Sequence, residues 1–176
     1  MDHQEPSRKQ LILDAALDII EHEGMKALTQ PRIAKACGLR QSHLTYYFPR
    51  KADLYIALLE ASHMRAEAKA VRKVPLEGLL VALFFDPERM RFFLSIILEV
   101  GDDPDLQPIL QEHGKGLCVA IARHLGRPDN DPDVESFVNE MRGVGVTNLM
   151  SVKPVKNGAA VMRKVAARHG LKFGGK

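Results

Sequence analysis

Residues 29–51 read TQPRIAKACGLRQSHLTYYFPRK, and this stretch decides the fold class of the N-terminal part of the chain. Thr29 is a candidate N-cap for a first short helix, which Gly38 ends. A second helix of about seven residues follows over 41–47 and ends before Pro49. Only the three residues Gly-Leu-Arg separate the two helices, a spacing typical of a helix-turn-helix.

The turn between these helices suits a close approach of the two. Gly38 permits the backbone reversal, and Ala34 and Cys37 are small enough for the helices to pack tightly. The second helix then projects as a rod about 10 Å long. Because the major groove of B-DNA is about 12 Å wide, the segment predicts a surface that double-stranded DNA could contact.

Charge is distributed in blocks along the chain of 176 residues, although its net charge is only +3. Residues 26–51 carry six cations and no acid, and residues 141–176 carry eight cations and no acid. The other segments are acidic overall and nearly cancel these two blocks. A run of charge is more often a solvated face than a site, but a basic block on a helix-turn-helix favours contact with phosphate.

Composition indicates an ordinary soluble globular chain, with 45% hydrophobic and 27% charged residues. No apolar run approaches the roughly 18 residues of a membrane-spanning helix, and the polar start MDHQEPSRKQ lacks the apolar region of an export signal. Cys37 and Cys118 are too few for a disulfide framework or a Cys-rich metal site. These features predict a cytoplasmic protein with no membrane partner, cofactor or metal.

Helical periodicity continues through the rest of the chain, and no segment shows the alternation of a β-strand. Ser7 and Gln10 form a capping-box pair at the start of the first helix, and Gly24 ends it. Proline and glycine separate the later segments. The sequence predicts an all-α protein with helices over residues 8–23, 30–37, 41–47, 52–71, 76–85, 88–99, 106–125, 134–151 and 155–168.

Over about residues 7–60 the sequence resembles the tetracycline-repressor-like (TetR) family of transcriptional regulators. The string that carries the resemblance runs through Ile12, Ala15, Ala16, Ile19, Gly24, Leu28, Thr29, Ile33, Ala34, Gly38, Leu39, Leu44, Thr45, Tyr46, Tyr47, Phe48, Pro49, Lys51 and Leu54. Residues 61–176 match only in length and helical character. The resemblance implies an N-terminal helix-turn-helix domain, residues 1–50, that binds DNA. It also implies a C-terminal helical domain, residues 51–176, for effector binding and dimerisation.

The resemblance further implies which residues contact DNA, with 41–47 as the recognition helix. Gln41 and Ser42 would face base edges, and a glutamine suits a bidentate pair with adenine. His43 and Thr45 would lie at the groove wall or on a thymine methyl group. Contacts to phosphate would come from Thr29, Arg32, Arg40, Tyr46, Tyr47 and Lys51. Leu44 and Phe48 are better interpreted as core residues.

Some positions of this segment depart from the family pattern. Arg40 stands where the family usually has a Ser or Thr that caps the recognition helix, so a cation replaces that cap. Thr45 replaces the usual Tyr. Pro31 replaces a frequent Arg, and Arg32 is displaced by one residue. The DNA sequence bound by a relative therefore does not transfer to this chain.

The last two predicted helices, within residues 134–168, are implied by the resemblance to form a homodimer. Small residues permit close helix contact there: Gly143, Gly145, Ala159 and Ala160. The cations of residues 141–176 would then form the solvated rim of the dimer. A second contact with DNA is the alternative for this block.

The second domain is implied to bind a small apolar or amphipathic effector, which would release a repressor from its operator. Residues that could line the effector site, and that are equally plausible as ordinary core, are Phe84, Phe92, Phe93, Ile96, Leu110, His113 and Leu117. Effector binding would bias the position of the helix over 52–71 and so change operator affinity.

Two other functions remain open. One is a ligand-independent DNA-binding regulator that acts constitutively or through a protein partner. The other is a small helical enzyme that uses His113, Cys118 or His124. The sequence contains no arrangement of nucleophile and base that supports the enzyme, so no catalytic residues are predicted.

Overall fold

The computed structural model describes residues 7–70 and 75–173, apart from the side chains of residues 63 and 66–70. This part of the chain contains nine α-helices, one short 3-10 helix and no β-strand, which confirms the predicted all-α class. The predicted end of the fourth helix at residue 71 lies outside the described residues. The helices are α1 (Arg8–Glu23), the 3-10 helix (Met25–Ala27), α2 (Gln30–Ala36), α3 (Gln41–Tyr47), α4 (Lys51–Ala70), α5 (Leu76–Phe85), α6 (Pro87–Val100), α7 (Gln107–His124), α8 (Pro132–Met150) and α9 (Gly158–Arg168).

Local signals in the sequence determine both ends of α1. The Ser7 hydroxyl accepts a hydrogen bond from the backbone N–H of Gln10 at 3.2 Å, as the predicted capping pair requires. The Gln10 side chain donates instead to Asp14 Oδ1, also at 3.2 Å. Gly24 follows the helix with a φ of 81°, in the left-handed region that glycine adopts without steric cost.

Helices α2 and α3 form the helix-turn-helix at the predicted positions. Gly38 in the turn has a φ of 67°. Leu44 and Phe48, which this segment predicts as core residues, are 1% and 3% exposed. Thr29 occupies the N-cap position of α2, as predicted, although its side chain makes no capping hydrogen bond. The Thr29 hydroxyl is therefore not committed to the helix.

The last helix begins later than predicted. Asn157 caps α9 by accepting a hydrogen bond from the backbone N–H of Ala160 at 3.0 Å, so the helix starts at Gly158 and not at residue 155. The backbone N–H of Val155 donates instead to Asn148 Oδ1 of α8 at 2.7 Å. Two asparagine side chains thus hold the preceding residues outside the helix, an effect that apolar periodicity does not register.

The chain divides into two compact units, the first of which contains the described residues up to 70 together with Leu94–Gln107. In this unit α1 packs against α2 and α4, and α2 packs against α3. Arg65 of α4 reinforces the contact with α1, because its guanidinium lies 2.7 Å from Asp18 and 3.1 Å from Asp14. The most deeply buried side chains of the unit include Ile12, Ile33, Leu44, Leu58 and Ile96.

The second unit contains the described residues 75–93 and 108–173. Helix α5 packs against α8 and α9, and those two helices also pack against each other. A Cβ atom on Gly145 would collide with Met90 Cε, and one on Gly158 would lie 2.7 Å from the Phe85 ring. The close approach at Gly145 is thus made inside the chain. Gly145 therefore permits the close helix contact predicted for the small residues of this segment, and it does so between helices of one chain.

The two units are defined by packing and do not test the functional boundary predicted after residue 50. That boundary stays a prediction. Two of the points where the chain passes between the units lie inside α6, between residues 93 and 94, and at the start of α7, between residues 107 and 108. Within residues 7–70 and 75–173, no helix combines the length and the apolarity that crossing a bilayer requires.

Candidate nucleic-acid interface

Helix α3 buries one face and exposes the other. Leu44 is its one buried residue, and His43 and Tyr47 are half-buried. The exposed residues all carry hydrogen-bonding side chains: Gln41, Ser42, Thr45 and Tyr46. An apolar anchor on one side and polar groups on the other leave the helix able to present those groups to base edges in a major groove.

Two tyrosines close this helix. The side chain of Tyr46 is 78% exposed. Its ring meets the Tyr47 ring edge-on, with the centroids 5.2 Å apart and the planes at 87°. This contact restricts the Tyr46 ring, so that its exposed hydroxyl can donate to a phosphate oxygen at a small cost in side-chain entropy.

Hydrogen bonds orient the polar residues at the start of α3. Gln41 Nε2 donates to Oε1 of Gln30, the first residue of α2, at 3.1 Å. Thr45 Oγ1 donates to the backbone carbonyl of Gln41 at 3.3 Å. His43 Nδ1 is buried and has no hydrogen-bond partner among the residues that the structure describes. Gln30 was not among the predicted site residues, because helical periodicity within one helix cannot reveal a pair between two helices.

Two cations at the start of α4 are paired with acids from a distant segment. Lys51 Nζ lies 2.7 Å from Glu99 Oε2 and 5.1 Å from the centroid of the Tyr55 ring. The hydrogen bond from Lys51 to Glu99 raises the pKa of Lys51 above its ordinary value. Arg50 Nη1 lies 2.7 Å from Asp103 Oδ2. The predicted phosphate contact of Lys51 would therefore compete with an internal carboxylate.

The acid that holds Arg50 is itself fixed in place. Asp103 Oδ1 accepts hydrogen bonds from the backbone N–H groups of Asp105 at 3.0 Å and Leu106 at 3.3 Å. The Arg50 guanidinium also donates to Asp53 at 2.6 Å, and this hydrogen bond lowers the pKa of the Asp53 carboxyl. Arg50 thus joins the start of α4 to the loop after α6.

The other predicted phosphate contacts have different surroundings. Arg32 pairs with Glu23 at the end of α1. Arg40 is exposed at the N-cap position of α3 and forms no ion pair with any residue of 7–70 or 75–173. Thr29 is exposed. Among the predicted cationic contacts, Arg40 is the one whose charge is not already shared with a described acid.

Comparison with known proteins bears on this arrangement. The family model described as "Bacterial regulatory proteins, tetR family" matches residues 12–58. The HTH-type transcriptional regulator BetI of Rhizobium meliloti (strain 1021) is 34% identical over 173 residues, covering 89% of this chain and 85% of that protein. The chain belongs to the TetR family. It is a transcriptional regulator with an N-terminal DNA-binding helix-turn-helix, as the resemblance implies.

A second relative and a solved structure show how far along the chain the similarity to known proteins extends. The HTH-type transcriptional regulator RutR of Escherichia coli (strain K12) is 42% identical over 53 residues. That match covers 30% of this chain and only 25% of RutR. The crystal structure of the multidrug binding protein EbrR complexed with ethidium has a TM-score of 0.65 at 21% identity, over 92% of this chain and 98% of that chain. At this identity the likeness to EbrR concerns the fold alone.

The residues predicted to line an effector site are less clearly grouped than those of the interface. Phe84 and Ile96 are 2% and 0% exposed, as ordinary core residues are. Ile96 belongs to the first compact unit, whereas the other six belong to the second. The half-buried members are Phe92, Phe93, Leu110, His113 and Leu117. Their role in effector binding stays a prediction.

Proposed function

We propose that this TetR-family regulator is a sequence-specific repressor that binds its operator through α3. The observation that carries the proposal is the two-sided character of α3, which anchors Leu44 in the core and exposes four hydrogen-bonding side chains. Gln41 and Ser42 read base edges, and His43 and Thr45 meet the groove wall or a thymine methyl group. Acting on chromosomal DNA, the protein works in the cytoplasm.

The proposed phosphate contacts surround these base-reading residues. Tyr46 is 78% exposed, and Arg40 has no acidic partner among the described residues. Arg32 and Lys51 take part after giving up their pairs with Glu23 and Glu99. Thr29 and Tyr47 contribute hydroxyl donors. Positioning by phosphate contacts and discrimination by base contacts are separable, so different variants test them.

Homodimer formation through residues 134–168 places two copies of α3 on one operator. Two recognition helices must lie about 34 Å apart along DNA to enter successive major grooves. On the exposed side of α8, a Cβ on Gly143 would meet nothing within 4 Å in this chain, which leaves room for a partner helix. The operator would accordingly be a pseudo-palindrome.

Release of the repressor by a small apolar or amphipathic effector is supported by α6. This helix carries the half-buried Phe92 and Phe93, and near its end Glu99 pairs with Lys51. A ligand that favours one position of α6 would change how available Lys51 is for phosphate. The effector and the operator would thereby bias the same two states.

Replacement of Gln41 tests base reading directly. Gln41→Ala should flatten base preference at one operator position, at a cost of about 1–3 kcal/mol for the preferred base. The measurement is selection from randomised duplex DNA followed by titration of the selected sequences. Gln111→Ala, an exposed glutamine of α7, is the matched control and should leave base preference unchanged. Equal binding of random and selected DNA by the parent and by Gln41→Ala would remove the proposal.

A ligand-independent regulator is the alternative within the same family. The complete burial of Phe84 and Ile96 favours it, because those side chains serve as core without a ligand. A thermal-shift screen of apolar and amphipathic compounds separates the two. A compound that stabilises the protein and weakens operator binding supports release by an effector, and a screen with no such compound favours the alternative.

An enzymatic role has little support in the site chemistry. The named relatives RutR and BetI are transcriptional regulators. Burial raises the pKa of the Cys118 thiol, which reduces the thiolate that a nucleophile would need at neutral pH. We therefore assign no reaction to His113, Cys118 or His124.

A further inference from the structure

The side chains of Gln30 and Gln41 form a bridge between the two helices of the helix-turn-helix. Each glutamine is the first residue of its helix, Gln30 of α2 and Gln41 of α3. Gln41 Nε2 donates to Gln30 Oε1 at 3.1 Å. Gln30 is half-buried and Gln41 is exposed, so the inner amide holds the outer amide at the surface of the unit.

The direction of this hydrogen bond determines what the Gln41 amide can still offer. A glutamine side chain has two N–H donors and one carbonyl oxygen. The bond to Gln30 uses one N–H group of Gln41. One N–H donor and the carbonyl acceptor therefore remain for a base.

The remaining N–H donor and carbonyl acceptor of Gln41 match adenine and not guanine. In the major groove adenine presents one donor, its N6 amino group, and one acceptor, N7. Guanine presents two acceptors, O6 and N7. A bidentate contact with guanine would need both N–H groups of Gln41, and one of them is already occupied by Gln30.

We propose that Gln30 is a positioning residue that sets Gln41 to read adenine in preference to guanine. The inference deepens the proposed function and rests on it, since Gln41 must face a base. Gln30 acts without contacting that base. Its oxygen orients the Gln41 amide and removes the donor that guanine would require.

The test compares base preference at the operator position that Gln41→Ala flattens. Selection from randomised duplex DNA should return adenine there for the parent. Gln30→Leu keeps a similar volume but removes the acceptor, so the ratio of adenine to guanine binding should fall by about fivefold or more, within the range of one bidentate contact. Gln30→Glu keeps an acceptor for Gln41 and should retain the preference for adenine, even where its added negative charge weakens binding to every sequence.

Three outcomes would overturn the inference. An unchanged adenine-to-guanine ratio in Gln30→Leu, with Gln41→Ala still flattening the position, would refute the positioning role and leave the proposed function intact. A parental preference for guanine at that position would mean that both N–H groups of Gln41 are free. If Gln41→Ala changes no position at all, the proposed function and the inference fail together.

A double variant separates positioning from a general loss of folding. Gln30→Leu combined with Gln41→Ala should show the base preference of Gln41→Ala alone, because Gln30 acts only through Gln41. A further loss of preference in the double variant would indicate that Gln30 reads a base itself and would contradict the inference. Thermal unfolding of each variant at equal concentration shows whether the compared proteins are equally folded.

Discussion

The two basic blocks of this chain, residues 26–51 and residues 141–176, have the same sign of charge but different surroundings. In the first, cations lie among exposed hydrogen-bonding side chains of α3, such as Gln41 and Tyr46. In the second, exposed alanine and glycine such as Ala160 and Gly143 occur beside polar residues whose side chains bond nearby backbone groups: Thr147, Ser151 and Asn157. A phosphate-binding surface that also reads bases needs the first composition and not the second.

The blocks also differ in how their charges are compensated. Arg50 and Lys51 of the first block are held by Asp103 and Glu99, which follow them by 53 and 48 residues. In the second block Arg168 pairs with Glu140 of the adjacent helix. The net charge of a segment therefore overstates the charge that it can offer to DNA. The availability of each cation has to be judged from its acidic neighbours.

The second block contributes to the protein core as well as to its charged surface, and Gly145→Ala tests this. A Cβ at this position would collide with Met90 Cε and lie 2.6 Å from the backbone oxygen of Phe84. We expect a loss of about 1–3 kcal/mol in the free energy of unfolding, the usual cost of overpacking. Chemical denaturation measures it, and the folded fraction should still bind DNA.

Gly116→Ala is the matched control for this substitution. A Cβ at Gly116 of α7 would meet nothing within 4 Å, so alanine should stabilise the helix by about 0.5–1 kcal/mol. Equal stability changes in the two variants would show that the close approach at Gly145 has no energetic weight.

Removal of the internal acids should strengthen DNA binding. In the double variant Glu99→Gln with Asp103→Asn, Lys51 loses its pair with Glu99, and Arg50 loses its pair with Asp103 but keeps its pair with Asp53. The amide oxygen introduced at position 103 can still accept the backbone N–H groups of the turn. The freed Lys51 and the partly freed Arg50 should raise affinity by several-fold at physiological salt and steepen the slope of log K against log salt by about 1. Titrations at several salt concentrations measure both quantities.

The control for this double variant removes two acids that have no ion pair in the described part of the chain. Asp102→Asn with Glu112→Gln changes the net charge equally, and both residues are exposed. It should change the salt slope much less. If the two double variants behave alike, net charge and not local pairing governs the affinity.

The sequence predicted the helix-turn-helix well because its determinants are local. Ser7, Gly24 and Gly38 act within a few residues of the helix ends that they fix, and α3 has the predicted bounds. The burial of Leu44 and Phe48 was equally accessible, since one apolar face on a short helix indicates its core side.

The remaining features depend on pairs of residues that are far apart in sequence. Glu99 lies 48 residues from Lys51, and no periodic pattern connects the two. The pair formed by Gln30 and Gln41 crosses between helices.

At Thr29 the sequence indicated the N-cap position, but the position alone does not decide whether the hydroxyl makes the capping hydrogen bond. Of the seven residues predicted to line an effector site, only His113 carries a polar group. The other six are of the residue types that also form an ordinary core, so the sequence cannot distinguish the two roles.

The pairing of Arg168 and His169 of the second block with Glu140 of α8 predicts a pH dependence of stability. Glu140 accepts a hydrogen bond from His169 at 2.7 Å and pairs with Arg168, and these contacts lower the pKa of the Glu140 carboxyl from 4.5. A carboxyl with a lowered folded pKa stabilises the protein above its unfolded pKa, and this contribution is lost as pH falls through the folded value. Below about pH 4.5, where the parent loses this contribution, Glu140→Gln should lose less stability than the parent.

The measurement is the midpoint of urea denaturation between about pH 3 and pH 6. Glu135→Gln changes an exposed acid of the same helix and should leave the pH profile parallel to that of the parent. A Glu140→Gln profile parallel to the parent would contradict the proposed contribution of the pair.

The smallest effect is expected from the free lysines of the second block. Lys153, Lys156 and Lys164 are exposed and form no ion pair with a described residue, so their charges are available, but they lie outside the recognition helix α3. Their joint replacement by glutamine should change operator affinity by less than about twofold and leave the salt slope as it is. Arg40→Gln, which removes one charge from the first block, should weaken operator binding more than the three lysine replacements together. If the triple lysine variant instead weakens operator binding more than Arg40→Gln does, residues 141–176 form a second DNA contact. Contact with phosphate releases counterions from DNA, and this release is what makes the affinity depend on salt.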